Sequence, residues 1–116
     1  MDGVIKMKEH VAEIQNDLNL LTDIIVKTIP AEQIYLFGSY AYGTPDKNSD
    51  IDLYIVMNDN ANIRELDAID AVSLEVYKKI HKPVDLLVLK SDKFLRRKNA
   101  ATMERRIVRD GIKIYG

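Results

Sequence analysis

The sequence predicts an α/β fold in which helices pack on a mixed sheet of three or four strands. Segments with helical and strand periodicity follow one another in the order helix, strand, strand, helix, strand, helix, strand, without a repeat or linker. The predicted strands are short apolar runs, whereas the longer segments between them are amphipathic. The chain has 116 residues, of which 47% are hydrophobic and 30% charged. We therefore expect a single globular domain that spans residues 1–116.

Three helices are predicted, the first two where apolar residues recur in steps of three and four and the third as a basic helical segment. The first should end before Pro30, because proline disfavours the helical conformation of the residue that precedes it. The second can be capped by an asparagine and the third by a serine. The predicted helices run from Val4 to Lys27 or Thr28, from Asn60 or Asn62 to about Ile80, and from Ser91 to about Val108.

Four strands are predicted from short apolar runs bounded by turn residues. After the first strand, residues 40–43 can form one helical turn closed by glycine. Residues 44–49 are rich in Pro, Asp, Asn and Ser, so a loop is expected there. The predicted strands are Ile34–Phe37, Asp50–Met57, Val84–Leu89 and Ile112–Tyr115.

Charge and composition exclude several classes of protein. The net charge is −1, from 17 basic and 18 acidic residues, which argues against a general nucleic-acid binder. The absence of cysteine excludes disulfide scaffolds, thiolate zinc sites and cysteine nucleophiles. No apolar stretch approaches the roughly 20 residues needed to cross a bilayer, and the acidic start lacks a basic n-region. A cytoplasmic protein without a leader or a membrane segment is expected.

Three aspartates form the first candidate site. Asp50 and Asp52 lie on the same face of the second predicted strand, roughly 6 to 7 Å apart at Cα. Asp85 is the one charge in the next strand, and burying a lone carboxylate is costly unless it is paired or bound to a metal. If the two strands are neighbours, the three carboxylates meet at one edge of the sheet. Mg²⁺ is the simplest counter-charge, because it accepts a few carboxylates together with substrate phosphates and water.

Gly38 and Ser39 form the second candidate site. They follow a strand and open a helical turn, where glycine allows a phosphate to approach the backbone and serine offers a hydroxyl group. The segment lacks the lysine and the glycine spacing of a Walker loop, and it lacks the third glycine of a dinucleotide fingerprint. It is therefore predicted to bind phosphate in a different way from either motif.

The order of these motifs resembles that of a known family. LFGSYAYG at residues 36–43, followed by SDIDL at residues 49–53, resembles the signature of the DNA polymerase beta nucleotidyltransferase superfamily. The layout, including RDGIKIY at residues 109–115, is similar to the minimal nucleotidyltransferases that accompany HEPN-domain proteins in toxin–antitoxin pairs. The resemblance implies the nucleotidyltransferase fold.

The resemblance also implies a role for each matching residue. Gly38 and Ser39 would hold the triphosphate of ATP, and Asp50 and Asp52 would bind two Mg²⁺ ions. Asp85 would complete the metal site and accept the proton of the attacking hydroxyl group. Two metals about 3.5 to 4 Å apart can neutralise charge on both the attacking and the leaving oxygen.

The implied function is Mg²⁺-dependent transfer of AMP from ATP to a hydroxyl group of a partner protein. The partner would be a HEPN ribonuclease toxin, and this chain its antitoxin. The alternative is a non-catalytic, nucleotide-binding subunit that neutralises its partner by contact alone. A small-molecule nucleotidyltransferase is disfavoured because the chain ends before any acceptor-binding domain. The acceptor residue, the nucleotide preference and the oligomeric state stay open.

Aromatic and histidine residues are expected to be mostly structural. Tyr35 and Tyr54 lie in predicted strands and should belong to the core, whereas Tyr40 and Tyr42 could border a nucleotide base. Tyr42 stands where many relatives of the family carry arginine. The two histidines, His10 and His81, have no partner at metal or triad spacing, so they are expected on the surface.

The C-terminal part of the chain is basic. Residues 90–116 hold 9 Lys and Arg against 3 Asp and Glu, whereas residues 1–89 hold 8 against 15. The stretch from Lys90 to Arg109 is a solvated helix face, a contact to the triphosphate or pyrophosphate, or a docking face for an acidic partner or its RNA. The sequence does not decide among these three interpretations.

Overall fold

The computed structural model describes residues 11–116. The predicted start of the first helix at Val4, and His10, lie outside the described residues. His81 is exposed, as predicted. The elements are α1 (Gln15–Thr28), β1 (Ala31–Phe37), α2 (Gly38–Tyr42), β2 (Ile51–Met57), α3 (Glu65–Lys79), β3 (Val84–Lys90), α4 (Ser91–Arg97), α5 (Met103–Asp110) and β4 (Ile112–Tyr115).

The sheet is mixed and has the strand order β3-β2-β1-β4. Strand β1 pairs antiparallel with both β2 and β4, whereas β2 and β3 run parallel. The parallel pair needs a crossover, and α3 provides it between the two strands. The prediction of an α/β fold with a mixed sheet of three or four strands is confirmed.

The two faces of the sheet are covered by different helices. Helices α1 and α3 pack on one face, where the alternate residues Ile51, Leu53 and Ile55 of β2 are fully buried. The opposite face carries Tyr35 and Tyr54, which pack against Phe94 of α4 and Ile107 of α5. Both tyrosines are buried, so their predicted place in the core is confirmed. Because side chains alternate along a strand, Asp52 shares the face of Tyr54.

The basic C-terminal segment is two helices, whereas the sequence predicted one from Ser91 to about Val108. Helix α4 ends at Arg97 and α5 begins at Met103. Thr102 is extended and caps α5, since its hydroxyl oxygen accepts a hydrogen bond from the backbone N–H of Arg105. The same hydroxyl donates to the carbonyl of Arg97. Because this side chain hydrogen-bonds to the backbone on both sides of Thr102, it interrupts the helix.

A buried polar network fixes the position of α5. Glu104 is only 1% exposed, and its Oε2 accepts hydrogen bonds from the hydroxyl of Tyr54 at 2.9 Å and from Nε of Arg97 at 2.7 Å. Burial alone would raise the pKa of Glu104, but the bonds from Arg97 and Tyr54 outweigh it and hold this pKa below its ordinary value. This network anchors the basic helix to the sheet.

Smaller differences concern the ends of two elements. Strand β1 begins at Ala31, three residues earlier than predicted. Helix α3 begins at Glu65 after an extended Arg64, whose side chain makes no capping hydrogen bond. The predicted caps Asn60 and Asn62 therefore belong to the preceding turn. None of the helices in residues 11–116 combines the length and the apolar character that crossing a bilayer requires.

Candidate functional site

The carboxylates of Asp52 and Asp85 lie side by side at one end of the parallel strand pair. Strands β2 and β3 are neighbours, which is the condition under which the sequence analysis expects the carboxylates to meet, and their register places Asp52 opposite Asp85. Neighbouring strands are about 4.8 Å apart, so paired residues bring their side chains together on one face. The two side chains are therefore direct neighbours across the strand pair. Asp50 lies one residue before β2 and is half-buried.

Asp85 is exposed, whereas the sequence suggested a buried charge in an apolar strand. The physical reason is that β3 is an edge strand, with a neighbour on one side only. The carboxylate therefore faces solvent at the rim of the sheet. A group at this rim can be reached by another molecule.

The surroundings of Asp52 disfavour the charged form of its carboxyl group. Partial burial, then the neighbouring charges of Asp85 and Asp50, raise the pKa of Asp52 from 3.8 to about 6. Within residues 11–116, no Lys, Arg or His forms an ion pair with any of the three carboxylates. The structure thus brings together a group of negative charges that lacks a counter-charge from the described part of the chain.

The three aspartates offer side-chain donors that suit a divalent metal. Their hard oxygen donors are those that Mg²⁺ prefers, and the raised pKa of Asp52 is the effect that a bound cation would reverse. In residues 11–116, no three His, Cys, Asp or Glu side chains are grouped closely enough to hold a metal ion as they stand. The type of donor fits a divalent metal although the three side chains are not gathered around one point. Asp52 and Asp85 form a neighbouring pair of carboxylates, and Asp50 lies within electrostatic reach of Asp52.

Gly38 lies directly against Asp52. Its φ is +71°, a conformation that favours glycine. A Cβ atom at this position would lie 2.9 Å from Cγ of Asp52 and would overlap its Oδ2. Glycine is therefore required at this point both for the turn of the backbone and for the room that the carboxylate occupies.

Ser39 lies in the short helix α2 that follows Gly38. The carbonyl of Ser39 accepts hydrogen bonds from the backbone N–H groups of Gly43 and Thr44, which closes the turn. Gly43 ends the helix in a left-handed conformation, as predicted. Ser39 is half-buried and follows the residue that touches Asp52. The two predicted sites, glycine–serine turn and carboxylates, thus adjoin each other.

The two tyrosines that were considered as borders of a base have different surroundings. Tyr40 is buried in the hydrophobic core beneath the turn, so it is not available to a ligand. Tyr42 is half-buried, and the guanidinium carbon of Arg106 lies 4.2 Å from the centre of its ring. Sequence reasoning did not find this pair, because the two residues are 64 positions apart and meet only through the packing of α5.

Asp52→Asn is expected to stabilise the protein above pH 6 when neither metal nor nucleotide is added. The pKa of Asp52 is higher in the folded protein than in the unfolded chain, so the folded state holds more protons between about pH 4 and about pH 6. The wild-type free energy of unfolding should therefore fall as the pH rises through this window. Allowing for solvent screening, the decrease is about 1 to 2 kcal/mol.

Denaturant unfolding at pH 4 and pH 7.5 measures this effect. From pH 4 to pH 7.5, the free energy of unfolding of Asp52→Asn should rise relative to that of the wild type. The free energy of unfolding of Asp70→Asn, a variant changed at an exposed position of α3, should show the same pH dependence as that of the wild type. An Asp52→Asn protein that is clearly less stable than the wild type at pH 7.5 would contradict the expectation, since it would reveal a structural partner that needs the charge.

Comparison with known proteins identifies the family. The family model of the nucleotidyltransferase domain matches residues 18–108, which are 91 of the 116 residues. The chain belongs to the nucleotidyltransferase domain family. The matched segment contains the glycine–serine turn and all three aspartates. Comparison with curated protein sequences finds no match.

Three solved structures are similar to this chain. A provisionally assigned nucleotidyltransferase from Sulfolobus solfataricus is 22% identical, with a TM-score of 0.62 over 93% of this chain and 85% of that chain. A chain of the toxin–antitoxin complex MntA–HpeT, in a variant with two aspartate-to-glutamate substitutions, is 25% identical. Its TM-score is 0.61, over 85% of this chain and 73% of that chain. A toxin–antitoxin structure with AMP-PNP is 24% identical, with the same TM-score and coverage.

These findings confirm the resemblance noted from residues 36–53. The chain is a nucleotidyltransferase related to the MntA antitoxin, and it has the nucleotidyltransferase fold. Members of this family typically use a divalent metal.

Proposed function

We propose that this protein is an Mg²⁺-dependent nucleotidyltransferase that transfers AMP from ATP to a hydroxyl group of a partner protein. The observation that carries the proposal is the paired carboxylates of Asp52 and Asp85, which adjoin Gly38 at an open edge of the sheet. A structural role does not require these charges together, because their repulsion opposes folding. A reaction that needs a divalent cation does require these carboxylates to lie together.

In the proposed reaction, Gly38 and Ser39 hold the triphosphate, and Asp50, Asp52 and Asp85 hold the metal. When bound, Mg²⁺ would neutralise charge on the attacking and the leaving oxygen. The hydroxyl oxygen of the acceptor forms a bond to the α-phosphorus, and the bond from this phosphorus to the bridging oxygen breaks, releasing pyrophosphate. Asp85, the most exposed of the three carboxylates, accepts the proton of the hydroxyl group.

The position of the site supports a protein as the acceptor. Asp85 is exposed on an edge strand, so a Tyr, Ser or Thr hydroxyl on another protein can approach it without entering a closed pocket. The similar MntA–HpeT structure is a toxin–antitoxin complex, and another similar structure contains AMP-PNP, an ATP analogue. We propose a HEPN-type ribonuclease as the acceptor, modified in the cytoplasm, where ATP is available. Added AMP would bring negative charge that repels RNA.

The test is to co-express this chain with the protein encoded beside it and to weigh that partner after separation under denaturing conditions. Mass increments of the size of AMP, reproduced with the purified proteins, ATP and Mg²⁺, support the proposal. A partner that is neutralised without any mass increment would contradict transfer and would support the alternative, in which a nucleotide-binding subunit neutralises by contact alone.

Two single substitutions should separate chemistry from binding. Asp85→Asn should keep most of the affinity for Mg²⁺–ATP but lose transfer, because it removes the proton acceptor and one metal ligand. Ser39→Ala should weaken ATP binding roughly tenfold, because a hydrogen bond to a charged phosphate is lost. Calorimetric titration gives the affinities, and partner mass spectrometry gives the transfer. An equal loss of ATP binding in the two variants would reject this division of roles.

A further inference from the structure

Helix α3 carries large apolar side chains on its outer side. The exposed fractions are 72% for Leu66, 59% for Leu74 and 85% for Tyr77. Their spacings of eight and three residues place these side chains on one side of the helix. The side that faces the core is a separate row, formed by Ala68, Val72 and Val76. Single apolar residues are common on protein surfaces, but several on one helix side form a patch of the kind that marks an interaction site.

A groove lies at the C-terminal end of this α3 patch, which consists of Leu66, Leu74 and Tyr77. It has a volume of about 200 Å³, and its walls are mostly apolar. Tyr77 forms one wall, and Pro83 with Val84 and Leu86 of the edge strand β3 forms another. The patch thus has an exposed leucine at its N-terminal end and an apolar groove at its C-terminal end.

The charges along α3 are separated in the same direction. Residues 64–70 hold one basic and three acidic residues, whereas residues 75–82 hold three lysines and one glutamate. The helix dipole also favours this order of charges, so the separation alone does not indicate a partner. Combined with the leucine and the groove, however, it makes the surface complementary to itself when two copies of the helix are antiparallel. The acidic end then meets the basic end, and Leu66 meets the groove.

We infer that two copies of this chain associate through the α3 patch, with their α3 helices antiparallel about a two-fold axis beside Leu74. Leu74 then faces the same residue of the second copy, and Leu66 of each copy enters the groove of the other. Asp67 lies seven residues before Leu74 and Lys82 eight residues after it. The two-fold axis therefore brings Asp67 of each copy near Lys82 of the other, once at each end of the contact.

The inferred contact leaves the carboxylate site open. Helix α3 packs on the face of the sheet that carries Ile51 and Leu53, whereas Asp52 and its neighbour Asp85 lie on the opposite face. Association through α3 is therefore independent of the proposed function and is not required for transfer. A contact made by one helix face and one groove is small, so we expect a dissociation constant in the micromolar range.

The oligomeric state of the full chain tests this inference. Sedimentation velocity over roughly 1 to 100 µM should show the wild type passing from monomer to dimer. Leu74→Glu should raise the dissociation constant roughly a hundredfold or more, because it places two like charges against each other at the two-fold axis. Leu95→Glu makes the same change at an exposed position of α4 and should dimerise as the wild type does.

An exchange of charges shows whether the contact is antiparallel and between copies. Asp67→Lys and Lys82→Glu should each dimerise roughly tenfold more weakly alone, because attraction becomes repulsion at both ends. An equal mixture of the two variants should dimerise again, because position 67 then meets an opposite charge at position 82 in both contacts. Thermal melting of each variant, followed by circular dichroism, shows that it is folded.

Three results would contradict the inference. The first is a wild type that stays monomeric over the whole concentration range, and the second is a Leu74→Glu variant that dimerises as the wild type does. The third is a mixture of Asp67→Lys and Lys82→Glu that dimerises no better than either variant alone. If Leu74→Glu instead loses only the protein encoded beside this chain, the α3 patch docks that protein and the inference is wrong. Transfer of AMP by a monomeric Leu74→Glu variant would support the proposed function whatever the oligomeric state.

Discussion

Replacing Asp50 and Asp52 together by asparagine is expected to abolish the AMP-sized mass increment on the partner. Both substitutions remove a negatively charged metal ligand, and neither amide can supply that charge. A bound metal stabilises a phosphoryl-transfer transition state by several kcal/mol, so the rate should fall roughly a thousandfold or more. Because the variant also removes two of three repelling charges, it should fold at least as stably as the wild type without ligand.

A matched control removes two negative charges elsewhere. Asp23 and Asp70 are exposed residues of α1 and α3, and their replacement by asparagine should leave the mass increment in place. Intact mass spectrometry of the partner from parallel co-expressions compares the three proteins. A partner that carries AMP in the presence of the Asp50→Asn plus Asp52→Asn variant would show that these carboxylates are not the metal ligands.

Gly38→Ala is expected to eliminate transfer at a modest cost in stability. A positive φ of +71° costs a non-glycine residue about 1 to 2 kcal/mol, which is the expected decrease in the free energy of unfolding. The added Cβ would also overlap Oδ2 of Asp52, and the carboxyl group can avoid this only by rotating away. That rotation removes Asp52 from its place beside Asp85, so the loss of activity should far exceed the loss of stability.

Gly43→Ala separates these two effects. Gly43 has a similar positive φ of +85°, but a Cβ there would meet nothing within 4 Å. This variant should lose a similar amount of stability in denaturant unfolding and still modify the partner at a rate near that of the wild type. A Gly38→Ala protein that matches Gly43→Ala in both measurements would contradict the role of the close approach between Gly38 and Asp52.

The order and type of the elements could be predicted because they depend on local patterns. Three examples are the apolar residues at helical spacing in α1, the apolar run of β2 and the glycine–serine turn. In each of them the residues that indicate the element lie close together in the sequence. The sequence also indicated that Asp52 and Asp85 would meet if their strands were neighbours. The break between α4 and α5 was missed, because the helical propensity of residues 95–101 shows no interruption. The bonds of Thr102 that end one helix and start the next are visible only in three dimensions.

The sequence by itself therefore determined the fold class, the family resemblance and the residues of the candidate site, since each follows from residue types at short spacing. Only the tertiary structure decided how these residues are exposed and charged. It placed Asp85 at a solvent-facing edge, raised the pKa of Asp52 and brought Arg106 over Tyr42. The physical reason is that burial and electrostatic interactions depend on distances between residues remote in sequence, and these distances are set by the packing of strands and helices.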